Sequence, residues 1–217
     1  MSMSFYAGCY FRSNQKLEDV FAVVYRHCKK HGFDYLVTER YANSFAEQNR
    51  RIANDEADSC WVSSKNGKVL VSIGNKPEKF DFPTGSEIAL LHFIFDYASI
   101  TTNDETQNQQ FLESFVSLQT DLYLTLNAEL GWGGYFPNIP EYEEYLNSEI
   151  KALYWYNILS TRFVEKIGRN KLLNAPGWRI KELAEGSVTV RLSGHPHQYK
   201  KVAGAYLHEY LGMNSRL

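Results

Sequence analysis

By type and spacing, the residues best suited to chemistry are three histidines near the C-terminal end: His195, His197 and His208, the last followed by Glu209. Histidines at i and i+2 point the same way along an extended segment. His208, on a following helix, could then complete a three-ligand metal site of the kind that activates water in small hydrolases. The pattern lacks an Asp or Cys partner at fixed spacing, and a solvated turn leading into a helix accounts for it more simply. No metal, cofactor or catalytic residue is therefore expected, and a metal-dependent hydrolase using His195, His197 and His208 is kept as an alternative. No nucleophile sits in a Gly-x-Ser-x-Gly or catalytic-cysteine context. Cys9, Cys28 and Cys60 fall on apolar strand or helix positions, where cysteine packs as a small core residue. Their odd number and the lack of Cys-x-x-Cys spacing speak against a disulfide framework or a zinc site. Gly131-Trp-Gly-Gly134 lacks the lysine and the strand-to-helix setting of a phosphate loop, and reads as a structural bend.

A stronger signal lies in the charges. Residues 80–150 contain no Lys or Arg but twelve acidic residues, while the rest of the chain carries 13 acids against 23 bases. A chain of net charge −2 is thus a middle of about −12 between flanks of about +10. Either the basic flanks fold over the acidic middle, or the middle offers an acidic face to something positive. The pI near 6.3 and the absence of a basic stripe argue against direct nucleic-acid binding.

Within that middle, residues 131–140 hold three Gly and two Pro and are expected to form a loop. Trp132 and Tyr135 would then be aromatic anchors in a loop, directly before Glu141, Tyr142, Glu143 and Glu144 at a helix start, with Glu149 further along. Carboxylates at a helix N-terminus are favoured by the macrodipole alone. Beside exposed aromatics they also make a contact surface, with charge steering a basic partner and rings supplying buried area. These seven residues are the candidate partner-binding set.

The elements that must position them follow from periodicity. Residues 4–11 read as a first strand. Leu17, Val20, Phe21, Val24 and Cys28 recur at helical spacing, with Gly32 as the stop. Residues 33–41 alternate loosely, as in a second strand. Asn66-Gly67 between apolar runs marks a hairpin over residues 60–73. Residues 84–99 begin like a capping box at Thr84 and Glu87 but also alternate, so helix and strand both remain open. Phe111, Leu112, Phe115, Leu118 and Leu122 define an amphipathic helix, and 141–159 reads as another. A short helix stops at Gly168, a second hairpin spans 178–192, and Pro196 opens a last helix. This is an α+β fold, with helices packed on a mainly antiparallel sheet. At 217 residues, with 44% apolar and 22% charged content, it suits a single folded domain. Residues 1–8 carry no export signal and no apolar run reaches membrane length, so a cytoplasmic protein is expected.

Between residues 142 and 195 several short segments follow in a distinctive order. They are Glu144-Tyr-Leu146, Leu153-Tyr-Trp-Tyr-Asn157, Phe163-Val-Glu-Lys-Ile-Gly168, Lys171-Leu-Leu-Asn-Ala-Pro176 and Gly186-Ser-Val-Thr-Val-Arg-Leu192. This series resembles the immunity protein 52 family of bacterial polymorphic-toxin and type VI secretion systems, and Gly131-Trp-Gly133 sits where such families place a similar turn. The resemblance implies a non-enzymatic protein that neutralises a cognate toxin by stoichiometric binding, the toxin being a nuclease with a basic nucleic-acid-binding surface. It carries over no binding residues, since those quoted look like determinants of the fold. The further alternative is an oligomeric adaptor, and a homodimer is compatible with either reading.

Overall fold

Among the described residues strand β1 (Ser4–Arg12) occupies the middle of a nine-stranded antiparallel sheet, and from Ala7 to Phe11 it is buried without a break. Such continuous burial, in place of alternation, marks a strand covered on both faces. The computed structural model describes residues 4–13, 15–39, 41–54, 56–65, 67–74, 88–135, 140, 142–176, 179–198 and 204–212.

The remaining elements, in chain order, are α1 (Leu17–Lys30), β2 (Asp34–Tyr35), α2 (Phe45–Ala53), β3 (Ser59–Ser64), β4 (Gly67–Gly74), β5 (Ile88–Asp96), α3 (Glu105–Thr125) and β6 (Leu130–Tyr135). Then come α4 (Tyr142–Asn147), β7 (Tyr156–Leu159), α5 (Thr161–Ile167), α6 (Arg169–Leu173), β8 (Arg179–Glu182), β9 (Val188–Arg191) and α7 (Gly204–Leu211). The strand order across the sheet is β2-β3-β4-β5-β1-β6-β7-β9-β8. The α+β class and both hairpins, β3–β4 and β8–β9, are as the sequence predicts.

Directly opposed residues of an antiparallel pair share a face. On one face lie Phe5, Ala7, Cys9 and Phe11 of β1 with Phe93 and Phe95 of β5. Helix α3 covers this face: Phe115 meets Phe5, Phe93 and Phe95 edge-on, and Phe111 meets Phe95 and Phe33. Each fully buried phenylalanine contributes about 1.5–3 kcal/mol, which makes this cluster the main anchor of the helix. Gln119 of α3, also buried, donates from Nε2 to the carbonyls of Gly8 and Trp132, at 2.9 and 2.7 Å. Helix α1 buries Val20, Phe21, Val24 and Cys28 beside α3.

On the opposite face the Tyr10 ring lies between those of Trp132 and Tyr145, tilted to each, with centroids 5.1 and 5.2 Å away. Gly8 is required here because a Cβ would meet the Leu91 carbonyl oxygen at 2.4 Å and the Trp132 ring at 3.0 Å. Helices α4 and α5 close this side over β1, β6 and β7.

Several expectations are corrected. Residues 130–135 form a fully buried strand and not a loop. Their glycines serve packing: a Cβ on Gly131 would press on Ile158, and one on Gly133 on Phe5. The long helix expected over 141–159 is the short α4, a reversal at Ser148 with φ +52°, and strand β7. The second strand is only Asp34–Tyr35. From Ile88 to Asp96 the ambiguous segment is strand, followed by a 3-10 turn, while Thr84 and Glu87 lie outside the described residues. No helix among the described residues is long and apolar enough to cross a membrane.

Candidate functional site

The four candidate contact residues whose side chains are described, Trp132, Tyr135, Glu144 and Glu149, do not form one exposed surface. Trp132 and Tyr135 sit in β6 with their rings buried, so packing and not a partner occupies them. Glu144 is buried as well, and its carboxylate accepts the Lys151 backbone N–H at 2.6 Å, closing the turn that follows α4. Glu149 is exposed and paired with Lys166 at 2.9 Å. Glu141 and the side chains of Tyr142 and Glu143 lie outside the described residues.

The charge segregation resolves into long-range pairing. Glu129, just before β6, takes Arg162 of α5 at 2.9 Å on one carboxylate oxygen; on the other it takes Arg12 of β1 at 3.3 Å and the Tyr145 hydroxyl at 3.0 Å. Arg162 also donates to the Tyr145 carbonyl and lies over the Tyr145 ring, 5.1 Å from its centroid. Asp121 of α3 receives Lys30 at 2.6 Å and His31 at 2.9 Å, which holds its carboxyl below the usual range. Glu113 of α3 receives Arg191 of β9 at 2.6 Å, with Arg179 of β8 at 4.0 Å. Four of the twelve acids of residues 80–150, Glu113, Asp121, Glu129 and Glu149, are thus paired with bases of the flanks, in the manner of the first of the two readings. Neither Arg162 nor Arg191 stood out in the sequence; the charge gap itself was their only signal.

Two depressions flank Glu113. The larger, about 840 Å³, is lined by Thr102, Asn108, Gln109, Gln110, His195 and His197 among others. The smaller, about 250 Å³, lies between α3 and the β8–β9 hairpin, with Ser117, Thr120, Tyr156, Arg179, Lys181 and Arg191 in its walls. Among the described residues Arg191 is the most buried Lys or Arg. Its guanidinium lies 4.7 Å from the Trp155 ring centroid and donates to the Gly194 carbonyl, and burial lowers its pKa against the opposing pull of Glu113.

His195 borders the larger depression with both ring nitrogens bonded in the protein. Nδ1 accepts the His197 N–H at 3.2 Å, and Nε2 donates to the Ile100 carbonyl at 2.8 Å. A metal on His195 would displace one of these bonds. Among the described residues no group of three or more His, Cys, Asp or Glu is placed to hold a metal, and the His208 side chain lies outside them. The cysteine thiols are buried, and burial pushes the pKa of Cys9 and Cys60 up to about 12 and raises that of Cys28. Such thiols are protonated and poor nucleophiles.

Comparison with known proteins adds the fold and little else. No family model matches the chain, and no curated protein matches it. The fold has a solved counterpart. A Pseudomonas aeruginosa chain described as T6SS protein PA0821 superposes with a TM-score of 0.51 at 14% identity, over 97% of this chain and 72% of that one. At that identity the likeness is one of fold.

The residues that carry the sequence resemblance are built into this fold. Asn157, in β7 and not in a helix, accepts the Tyr154 N–H and donates to the carbonyls of Tyr154 and Val190. Trp155 donates from its indole to Ser193, and Gly168 ends α5 at φ +97°.

Proposed function

We propose that this protein is an immunity protein, which neutralises a cognate bacterial toxin by binding it in a stoichiometric complex. The observation that carries the reading is a coincidence of two likenesses. The order of segments over residues 142–195 resembles the immunity protein 52 family, and 97% of the chain shares its fold with a protein described as belonging to the T6SS. The local chemistry supports binding over turnover: the thiols are buried and protonated, and the His195 ring is held by two protein hydrogen bonds. Three free cysteines suit action in a reducing cytoplasm.

Glu113, Asp121, Glu129 and Glu149 are paired within the protein and lend little to a basic toxin surface, while Glu141 and the Glu143 side chain lie outside the described residues. A nuclease target is carried mainly by the resemblance. Co-expression with the product of the adjacent gene tests the reading, scored for survival and co-purification. Rescue with a stable complex is expected; loss of both overturns it.

A further inference from the structure

We infer that the 840 Å³ depression between the start of α3 and residues 194–198 seats an extended basic segment of the partner protein. The inference rests on the toxin-binding reading and gives that partner a place to dock and a charge. The walls are held before any partner arrives. On the α3 side Asn108 accepts the Thr102 N–H and hydroxyl at 3.1 and 2.7 Å and donates to the Thr102 carbonyl at 2.9 Å. Opposite, the Ser193 hydroxyl donates to the His195 carbonyl at 2.7 Å, and His195 Nε2 ties the two walls together through the Ile100 carbonyl. A preformed cleft spares the complex the cost of ordering it.

What the walls offer decides the occupant. Glu105, Thr106 and Gln110 of α3 and Gln198 opposite are exposed, and their side chains make no hydrogen bond or ion pair among the described residues. Glutamine amides present donors and an acceptor together, the complement of an extended backbone, whereas a helix satisfies its own N–H and C=O groups. No Lys or Arg is among the described residues of the lining. The His195 ring accepts at Nδ1 and donates at Nε2, the pattern of a neutral imidazole. Glu113 shares its carboxylate with Arg191 and Gln109, which leaves Glu105 as the uncommitted charge among the described lining residues.

Other occupants fit less well. An anion at the N-terminus of α3 would meet the Asp104 carboxylate, which already accepts the Gln107 N–H at 3.0 Å, and Glu105 beside it. An apolar ligand or a nucleobase finds no Phe, Tyr or Trp among the described lining residues. An incoming Lys or Arg gains a carboxylate at Glu105, and the same carboxylate repels an acidic segment, so the depression discriminates by charge.

The test has two arms. In the first, amide shifts of the whole protein are followed while the acetylated, amidated peptide Ala-Arg-Ala-Arg-Ala is added at low salt, with Ala-Glu-Ala-Glu-Ala as control. Shifts centred on Thr102, Thr106, Gln110 and Gln198 are expected with the basic peptide alone. They should be lost in Thr106→Trp, which fills the depression from the α3 side. Absent shifts, or shifts elsewhere, overturn the seat.

In the second arm, the affinity for the co-purified toxin is compared among the wild type, Glu105→Lys, Thr106→Trp and the control Asp19→Lys, each checked for folding by circular dichroism. The control reverses an exposed acid in the first turn of α1, as Glu105→Lys does in α3. Glu105→Lys and Thr106→Trp are each expected to weaken binding by about tenfold or more, with the control unchanged. Equal affinities, or an equal loss in all three variants, overturn the seat and leave the immunity reading standing. Peptide shifts in the depression with no toxin complex support the seat and overturn that reading.

Discussion

Arg191 and Glu113 lie 78 residues apart in the chain and meet at 2.6 Å, the guanidinium buried and the carboxylate partly exposed. The contact ties the β8–β9 hairpin to α3, as Arg12–Glu129 ties β1 to the entry of β6 across 117 residues. Part of a charge gap that looks like a docking face in sequence is here used to tie the fold together.

The Glu113–Arg191 pair should be costly to break from one side. Glu113→Leu leaves a buried guanidinium without its carboxylate and is expected to cost about 1–3 kcal/mol in urea unfolding. Glu113→Leu with Arg191→Met removes both charges and should cost less than Glu113→Leu alone. A double variant less stable than the single one contradicts this account of the pair.

Gly8→Ala should destabilise strongly although it adds one methyl group. The new Cβ would meet the Leu91 carbonyl oxygen at 2.4 Å and the Trp132 ring at 3.0 Å, with no flexible side-chain end to give way. Overpacking of this kind costs about 1–3 kcal/mol, which a thermal melt would show as a clear fall in Tm. An unchanged melt would mean that β1, β5 and β6 lie less close together than described.

Stability should fall with acid before the carboxylates titrate. Burial lowers the His92 pKa to about 4, and its Nε2 has no hydrogen-bond partner among the described residues. A folded-state pKa below the unfolded value of about 6.5 means that the unfolded chain binds more protons between those limits. Stability is then full above about pH 6.5 and falls by up to about 3 kcal/mol on going down to about pH 4, where the contribution is exhausted. His27, also lowered by burial, adds in the same direction. Denaturant unfolding at pH 7 and pH 4.5 should show a smaller loss for His92→Phe than for the wild type; equal losses would remove His92 from the explanation.

Glu144→Ala should affect folding and not recognition. Its carboxylate satisfies the Lys151 N–H in a turn beside Ser148, so the variant should unfold at lower denaturant by about 1–3 kcal/mol. Association with the toxin, measured under conditions where the variant is folded, should match the wild type. A slower association with unchanged stability would restore Glu144 as a contact residue.

These predictions depend on residues that were unevenly legible in the sequence. Strand β1, helices α1 and α3 and the two hairpins follow from periodicity and turn residues, because each has an apolar pattern that only one period fits. Strand β6 was hidden by Gly131, Gly133 and Gly134. Glycine usually signals a turn, but here two of these make room for Ile158 and Phe5. Strand β7 was hidden by the opposite cause. Tyr156–Leu159 is wholly buried, and a short apolar run with no polar side cannot be told from helix by period. Leu146, an apolar residue that a helix over 141–159 would bury, is 47% exposed, which fits a helix that ends one residue later. The same glycines make Trp132 and Tyr135 look like exposed loop aromatics in the sequence, whereas β6 buries both. The ion pairs were invisible for a different reason, since charge composition fixes which partners exist but not which of them meet.

The central claim is neutralisation by stoichiometric binding, and titration of the purified toxin's activity with purified protein tests it most directly. The account predicts a linear fall to zero at one equivalent, with no further loss over time below that ratio. Complete inactivation at substoichiometric amounts, as a catalyst would produce, or no inactivation at any ratio, would contradict it.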